Sequence, residues 1–452
     1  MEVGHRYKVT IEDFDINGYG VCHIDNKVCF VIGALKDEVV LCEITNIHKS
    51  YAFANALEII EKSPYRVEPE CPYYDKCGGC DMMHMSYEME CMVKERRLTQ
   101  TFRHFKDVIY HPLIQAKNRK GYRNKVLMPF SKDLDDYVVY GFYEKKSHKI
   151  VPLNECIISD DTTNDILYFI TRYLEIFHIK IYDEATHKGL FREVMIRHTA
   201  LNEYMIVLVL THDYDFSVLV KYLLEEFDCI KSIYININPE RTNVILGNTY
   251  KLIYGSKTIT EKILEMKFQV SPQSFLQVNH NQCEKLYMEA LNLADLRNDM
   301  VAIDAYCGMG SITLNIARRV KKVYGIEVVE SAIINAKENM KLNNITNAEF
   351  ICGACENVIQ TLANKEKIDV IFFDPPRKGC EKSFLDTVIK MNIPRIIYVS
   401  CNVATCQRDC LYLEEHGYTL EEATPVDMFS RTLHVETVVA LSLSSEHKNS
   451  KK

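Results

Sequence analysis

Cys401 is the residue whose type and position most favour nucleophilic chemistry in this sequence. It follows the apolar run RIIYVS at a predicted strand end and precedes a predicted helix. We expect the N-terminus of that helix to favour the thiolate form of the side chain. Free cysteines are more often buried apolar residues than nucleophiles. Cys406 and Cys410, on the following helix, are interpreted in that way.

A second group of residues could bind a small cofactor. Gly308 and Gly310 follow the predicted strand VAIDA and let a ligand come close to the backbone. Glu327 ends the next predicted strand, where a carboxylate can accept hydrogen bonds from both hydroxyls of a ribose. Because the third glycine of the dinucleotide motif is absent, the pattern fits S-adenosylmethionine better than NAD.

A proline-rich turn lies at the same predicted edge of the sheet. The fourth strand of the series runs into Asp374, which is followed by Pro375, Pro376 and Arg377. Two prolines stiffen a turn and present Asp374 to the crevice. A turn-forming role alone would not require these four residue types together, so we interpret the motif as functional.

A thiolate beside a methyl donor suggests methylation of a pyrimidine. Carbon 5 of a pyrimidine is a poor nucleophile, but attack by a thiolate at carbon 6 gives an enolate whose carbon 5 can take a methyl group. A base must then remove the carbon 5 proton so that the thiolate can leave. His434 and Glu436, in the segment RTLHVET, are the candidate bases.

Three cysteines within ten residues form another candidate site. Cys71, Cys77 and Cys80 have the spacing C-x5-C-x2-C. A disulfide is disfavoured in a cytoplasmic protein, and 17 cysteines, an odd number, argue against a secreted disulfide scaffold. A zinc ion and an iron–sulfur cluster both remain open from the residues alone.

The periodicity of the chain predicts an α/β protein of several domains. Short alternating strands at the start favour a small antiparallel barrel, and regular βα alternation after residue 280 favours a parallel sheet with helices on its faces. Between them we expect mixed helices and strands, including a basic helix at 92–106. The predicted ranges are 1–62 for the barrel, 63–279 for a central α+β domain, 280–446 for the βα domain and 447–452 for a disordered tail.

Composition and charge narrow the expected location and partners. The 452 residues carry a net charge of −8, and neither a signal peptide nor a membrane-spanning segment is predicted, so we expect a cytoplasmic protein. Residues 92–125 hold ten Lys or Arg against two acidic residues, with aromatic residues between them. This segment predicts either a path for a phosphate backbone or an ordinary solvated helix face.

Five motifs together resemble those of the bacterial RNA uracil-5-methyltransferases, specifically the ribosomal branch with an iron–sulfur cluster. They occur in the family's order, and the resemblance covers residues from about 5 to 443. The motifs are SPQSFLQVN (271–279), DAYCGMGS (304–311), FDPPRKG (373–379), YVSCNVATCQRD (398–409) and MFSRTLHVET (428–437).

The resemblance implies a class I, Rossmann-like methyltransferase domain and a role for each matching residue. Cys401 resembles the nucleophile, Glu436 the base that takes the carbon 5 proton, and Phe275 a residue lining the pocket of the flipped base. The positions matching S-adenosylmethionine contacts are Gln277, Tyr306, Glu327 and Asp374. The ligands of an implied [4Fe–4S] cluster are Cys71, Cys77, Cys80 and Cys156.

The resemblance also implies an N-terminal TRAM domain, an OB-like RNA-binding module, and a uridine of 23S ribosomal RNA as the substrate of a monomeric enzyme. One departure is that residues 1–70 carry 12 acidic and 7 basic side chains, which points RNA contact toward residues 92–125. Transfer RNA is an alternative substrate, disfavoured because the typical bacterial tRNA enzyme lacks the barrel and cluster. An RNA-binding or redox-sensing protein with an idle methyltransferase fold is another alternative.

Overall fold

The computed structural model describes residues 1–145, 147–242 and 244–444, so the tail predicted at 447–452 lies outside the described residues. Within these ranges the strands form sheets of six, six, two and eight strands. In the same ranges, every helix is too short or too polar to cross a lipid bilayer.

The first sheet is built from short alternating strands, as expected for a small barrel. Cys22, Cys29, Val31 and Ile44 belong to its buried core, and their neighbours along each strand point outward because side chains alternate across a strand. The strands pair in the order β1-β5-β6-β4-β3-β2. They are β1 (Arg6–Thr10), β2 (Asp13–Phe14), β3 (Gly20–Ile24), β4 (Lys27–Ile32), β5 (Val39–Ile47) and β6 (Tyr51–Glu61).

A connector at residues 62–124 joins the barrel to the rest of the chain. It contains the helix α1 (Tyr87–Thr101) and the short strand β7 (Ile109–Tyr110). The helix begins five residues before the predicted basic helix because Ser86 caps it, accepting a hydrogen bond from the Met89 amide. The prediction from basic composition therefore put the start of this helix too late, because the capping residue determines where the helix begins.

The basic side chains of α1 are used largely inside the protein, so this part of residues 92–125 fits neither the predicted path for a phosphate backbone nor the alternative of a solvated helix face. Arg96 binds Asp13 and stacks over the Phe14 ring of the barrel. Arg97 donates to the Ile16 carbonyl, and Lys94 is fully buried. The exposed basic residues of 92–125 lie beyond the helix and include Arg103, Lys106, Lys117 and Lys120.

A second six-stranded sheet follows, with two helices against it. Its strand order is β13-β12-β11-β10-β8-β9, and the described strand β11 is buried at every position. Its elements are β8 (Lys125–Lys132), β9 (Val138–Tyr140), α2 (Asp161–Ile176), β10 (Phe191–His198), β11 (Tyr204–Leu210), α3 (Ser217–Glu226), β12 (Ile230–Ile237) and β13 (Thr249–Gly255). A hairpin of β14 (Ile259–Ile263) and β15 (Met266–Val270) and the helix α4 (His280–Leu293) lead into the last sheet.

The last sheet confirms the Rossmann-like methyltransferase fold. Its order is β18-β17-β16-β19-β20-β22-β21-β7, with parallel strands up to β20 and an antiparallel strand β22 next to it. Its elements are β16 (Val301–Ala305), α5 (Ser311–Ala317), β17 (Lys322–Glu327), α6 (Glu330–Leu342), β18 (Ala348–Cys352), α7 (Cys355–Ala363), β19 (Val370–Phe373), α8 (Lys382–Lys390), β20 (Arg395–Ser400), α9 (Val403–Glu415), β21 (Tyr418–Val426) and β22 (Glu436–Leu443).

The connector is built into this sheet. Strand β7 pairs with β21 in parallel, so connector residues form the edge of the eight-stranded sheet. The buried Lys94 ammonium binds Glu90 at 2.8 Å and Asp427, just after β21, at 2.5 Å. A buried ammonium requires such partners because removing them leaves an uncompensated charge.

Candidate active site

Strand register brings the predicted cofactor residues to one edge of the sheet. Ala305 is paired with Ile326 and with Phe373, so the next residues of these three strands, Tyr306, Glu327 and Asp374, follow side by side. Carboxyl ends of parallel strands are where ligands bind in open α/β sheets. Residues that lie far apart in the sequence therefore line one crevice.

The same register places the predicted nucleophile next to the predicted base. Ser400 is paired with Thr437 across the antiparallel strands β20 and β22, so Cys401 and Glu436 are the next opposing positions. Cys401 is half-buried and Glu436 is 1% exposed. His434, the other candidate base, is exposed, and no strand register places it opposite Cys401.

Burial makes Glu436 a stronger base than an ordinary carboxylate. Burial, followed by the charge of Asp374, raises the pKa of Glu436 to about 8, against the opposing effect of Arg377. Its Oε2 atom is buried and accepts no hydrogen bond among the described residues. A buried carboxylate with a pKa near the working pH is suited to taking and releasing a proton.

The pKa of Cys401 contradicts the expectation of a favoured thiolate. Burial, followed by the charges of Glu436 and Asp374, raises it to about 11, and Arg377 lowers it only in part. The helix α9 does begin just after Cys401, with Asn402 as its cap. Desolvation and two neighbouring carboxylates outweigh the partial positive charge of the helix N-terminus.

The crevice beside Cys401 is acidic. Burial, followed by the charge of Asp304, raises the pKa of Asp374 to about 7. Burial also raises the pKa of Asp304 to about 7, although the Thr313 hydroxyl donates to this carboxylate at 2.5 Å. Two desolvated carboxyl groups lower their energy when a cation lies beside them, so this site suits a positively charged ligand.

The first turn of the crevice is open toward a ligand. Gly308 has φ +53°, and a Cβ there would meet no atom within 4 Å. Its amide donates to one oxygen of Glu327 at 3.3 Å, and the Val329 amide donates to the other at 2.9 Å. Tyr306 has φ +64°, a backbone conformation that is uncommon outside glycine and is found at ligand-binding turns.

Gln277 and Phe275 come from the segment before α4. Gln277 is 4% exposed, and the Asn124 side chain donates to its carbonyl at 3.1 Å. Phe275 is 71% exposed, so its ring is not enclosed by a pocket in this arrangement. Its expected contact with a flipped base stays a prediction.

Arg377 is a site residue to which the sequence analysis assigned no role. It lowers the pKa of both Cys401 and Glu436, which places its positive charge near both groups. Its carbonyl accepts hydrogen bonds from the Asn402 amide group and the Thr405 hydroxyl, each at 3.2 Å. The signal for it was the DPPR motif itself, which ends in this arginine.

The four predicted cluster cysteines lie close together. Charges on Cys156, Cys77 and Cys71, after burial, are the main causes that raise the pKa of Cys80. The Gly79 amide donates to the Cys77 sulfur at 3.4 Å, a contact that is also found at the sulfurs of iron–sulfur sites. In the described ranges, however, no group of three or more His, Cys, Asp or Glu is arranged to hold a single metal ion. The cluster therefore stays a prediction.

Two family models match the chain. The model described as tRNA (Uracil-5-)-methyltransferase matches residues 86–444, and the TRAM domain model matches residues 1–57.

Similar proteins match over nearly the whole chain. A Clostridium tetani protein named as an uncharacterized RNA methyltransferase is 40% identical over 448 residues, 98% of this chain and 97% of its own. An Oceanobacillus iheyensis protein with the same description is 39% identical over 445 residues, 97% and 96% of the two chains. The crystal structure of Pyrococcus abyssi tRNA (uracil-54, C5)-methyltransferase with S-adenosyl-L-homocysteine has a TM-score of 0.77 and 24% identity, and covers 96% of this chain and 99% of its own.

Replacing Glu436 by Gln should lower the pKa of Cys401, because the charge of Glu436 raises it. The carboxylate is charged mainly above its pKa of about 8, so the variant should differ from the wild type increasingly above that pH. We expect faster alkylation of Cys401, about tenfold for each unit of pKa, measured by mass spectrometry of its peptide from pH 7 to 10.

Arg377→Gln should have the opposite effect and slow alkylation, since the lost positive charge lowers the pKa of Cys401. Glu415→Gln, at an exposed position on α9, is the matched control. Equal alkylation rates in Glu436→Gln and Glu415→Gln across this range would contradict the electrostatic coupling.

Proposed function

The chain belongs to the tRNA (uracil-5-)-methyltransferase family and is an S-adenosylmethionine-dependent RNA methyltransferase, and from this premise we propose that it methylates carbon 5 of a uridine in 23S ribosomal RNA. The observation that carries the proposal is the opposition of Cys401 and Glu436 across β20 and β22, beside an acidic crevice. The proposed catalytic residues are Cys401 as nucleophile and Glu436 as proton acceptor.

Cofactor binding is proposed for the residues around the first turn. Gln277, Tyr306, Glu327 and Asp374 would hold the methyl donor, with its ribose at the carboxylate of Glu327. The bound donor supplies an electrophilic methyl group on a positively charged sulfur. That positive charge would stabilise the ionised form of Asp374 and so lower the pKa of its carboxyl group. The same charge would favour the thiolate form of Cys401.

The proposed reaction begins at Cys401. Its thiolate adds to carbon 6 of a uridine that has left the base stack, and the electron pair of the 5,6 double bond moves onto the carbonyl oxygen at carbon 4. Arg377 lies near this site and would stabilise the negative charge that develops. The enolate electron pair then forms a bond from carbon 5 to the methyl group as the bond between that group and the donor sulfur breaks. The donor would leave as the neutral thioether S-adenosylhomocysteine, and carbon 5 carries both a methyl group and a hydrogen.

Glu436 completes the proposed reaction. Its carboxylate takes the carbon 5 proton, the electron pair re-forms the 5,6 double bond, and the carbon–sulfur bond to Cys401 breaks. Because the pKa of Glu436 is about 8, the deprotonated form needed at this step increases as pH rises from 7 to 9. The same value lets the carboxylic acid release the proton to solvent afterwards.

Ribosomal RNA is proposed because the five motifs and the three-cysteine loop resemble the ribosomal branch. From the sequence, tRNA is disfavoured because the typical bacterial tRNA enzyme lacks the barrel and cluster, and a similar archaeal structure weakens that argument. The Pyrococcus abyssi enzyme, whose substrate is tRNA, shares the fold over 96% of this chain. Transfer RNA is therefore the second candidate substrate, and the first experiment must compare the two.

That experiment supplies methyl-labelled S-adenosylmethionine with unmodified 23S rRNA and tRNA transcripts in parallel. We expect label in 5-methyluridine from ribosomal RNA alone, and none with Cys401→Ala. Label in tRNA alone would replace the ribosomal proposal with the second candidate. Absence of label in both, with protein shown to bind the methyl donor, would overturn the proposed activity and favour an RNA-binding role.

We also propose that Cys71, Cys77, Cys80 and Cys156 hold a [4Fe–4S] cluster. Their mutual proximity and the amide donor to Cys77 support this donor set, and four thiolates are the usual ligands of such a cluster. The cluster would supply a structural link between the connector and the central sheet, since no proposed reaction step needs electron transfer.

Protein purified without oxygen should contain about four iron and four sulfide ions per chain. Cys80→Ser should lose most of this iron, whereas Cys352→Ser, at an exposed cysteine away from the group, should keep it. One zinc ion per chain in place of iron would contradict the cluster proposal.

RNA contact is proposed at an aromatic surface of the barrel. It consists of Phe30, His48, Tyr51 and Phe53, which project from β4, β6 and the turn before β6. The His48 ring stacks on Tyr51 at 4.5 Å, and Phe30 lies 5.6 Å from Phe53. Bases of single-stranded RNA stack on such rings, so an acidic barrel can still bind RNA without a basic face.

Phe53→Ala should weaken RNA binding by about 1–3 kcal/mol, the usual contribution of one stacked base. The slope of log affinity against log salt should stay unchanged, because no phosphate contact is lost. Leu57→Ala, on the same strand and 48% exposed, is the matched control. Equal affinities of the two variants, measured by filter binding, would contradict the proposed surface.

The remaining expectations are also proposals. We propose the domain ranges 1–62, 63–279 and 280–446, a monomeric enzyme, and action in the cytoplasm. The TRAM model match at 1–57 and the three large sheets support the division of the chain.

A further inference from the structure

The loop 427–435, which joins β21 to β22 and leads directly into Glu436, is held mainly by residues outside the methyltransferase sheet. Arg431 is its centre. The Arg431 amide donates to Glu90 Oε1 at 2.7 Å. The Arg431 carbonyl accepts from the amides of Asp81 and Met82 at 2.8 and 3.0 Å. Both of these amides directly follow Cys80 in the chain.

Side chains from the connector add further contacts to the same loop. The guanidinium of Arg431 donates to Glu70 Oε2 at 3.0 Å, and Asp81 Oδ2 accepts from the Leu433 amide at 3.3 Å. The Lys94 ammonium donates to the Phe429 carbonyl at 3.2 Å. Every one of these partners lies between residues 70 and 94.

The backbone of the loop needs this support. Arg431 is 6% exposed and has φ +73°, in the left-handed region that residues other than glycine adopt only where their surroundings require it. Glu436 begins β22 five residues later, and its buried Oε2 has no hydrogen-bond partner among the described residues. The position of the Glu436 carboxylate therefore depends on its backbone rather than on contacts of its own.

We infer that the connector positions the catalytic base: Glu70 and Glu90 act through Arg431, and the Asp81 side chain through the Leu433 amide, as positioning residues for the proton-removal step. This inference rests on the proposed function, because it concerns the role of Glu436 in that reaction. Addition of Cys401 to carbon 6 and transfer of the methyl group take place on the β20 side of the site. They do not require the base, whereas breaking the carbon–sulfur bond does.

The inference predicts a defect in one step only. If the loop shifts, the enzyme should still form the Cys401–carbon 6 bond and transfer the methyl group. The carbon 5 proton then stays in place, the 5,6 double bond cannot re-form, and the methylated RNA remains covalently attached to Cys401. A general loss of structure would instead slow addition and elimination together.

The test uses the double variant Glu70→Ala/Asp81→Ala in the full chain, with the RNA that the wild type methylates. Glu70 and Asp81 are both exposed, but removing Glu70 leaves the Arg431 guanidinium, whose side chain is 7% exposed, without its carboxylate partner, which adds to the expected shift of the loop. In single-turnover experiments we expect addition within twofold of the wild type and elimination slower by about tenfold, less than the ~10²-fold that a 1 Å misplacement can cost. The labelled protein–RNA adduct should accumulate on denaturing gels, as it should fully with Glu436→Gln.

Two further variants separate positioning from general effects. Asp75→Ala removes an exposed acid from the same connector and should behave as the wild type. Asp81→Asn keeps an oxygen that can accept the Leu433 amide and should restore most of the elimination rate when Glu70 is intact. Equal slowing of addition and elimination in the double variant, or no adduct, would overturn the inference.

A second measurement does not depend on activity. Hydrogen exchange of the peptide 427–436 should become faster in the double variant and stay unchanged in Asp75→Ala, because the Leu433 amide loses its acceptor and the Arg431 guanidinium loses its carboxylate partner. If the wild type methylates neither RNA, the proposed function fails. Unchanged exchange in the double variant would then separately overturn the inference about the loop.

Discussion

The buried ammonium of Lys94 fixes the arrangement on which the site depends. It lies between Glu90, on the same helix, and Asp427, at the end of a strand more than 300 residues later. Removing one partner of a buried ion pair costs about 3–5 kcal/mol because a charge is left unpaired. Separating the connector helix from the methyltransferase sheet would therefore expose these charges to solvent or leave one of them buried without a partner. Asp427 is the first residue of the loop between β21 and β22, so this ion pair also fixes where the loop begins.

Desolvated carboxyl groups are the second feature that governs the site. Burial raises the pKa values of Asp304, Asp374 and Glu436 to about 7, 7 and 8. Burial and the same acidic surroundings raise the pKa of Cys401 to about 11, so this side chain is a thiol at neutral pH. A cation in the crevice would lower these pKa values in part by Coulomb attraction, although the effect of burial would remain.

Sequence reasoning predicted the elements more reliably than their contacts. The alternating strands before residue 62 and the βα series after residue 280 are present, because side-chain periodicity reports local burial directly. The basic segment shows the reverse case. Its charges predicted either an RNA path or a solvated helix face, yet Arg96 binds the barrel and Lys94 is buried in an ion network, since a positive side chain can bind an internal carboxylate as well as a phosphate. A run of basic residues in the sequence does not distinguish side chains that bind internal carboxylates from side chains that bind phosphates.

The sequence by itself determined which chemistry is possible: a cysteine and a glutamate at strand ends, glycines at a ligand turn, and a Pro-Pro turn beside them. These follow from residue type and from neighbours a few positions away. The tertiary structure decided how the groups behave. Only strand register sets Cys401 opposite Glu436, only burial among distant carboxylates raises both pKa values, and only the connector holds Arg431 in its left-handed conformation. Desolvation and Coulomb interactions act through space, so residues far apart in the chain set the properties of the site.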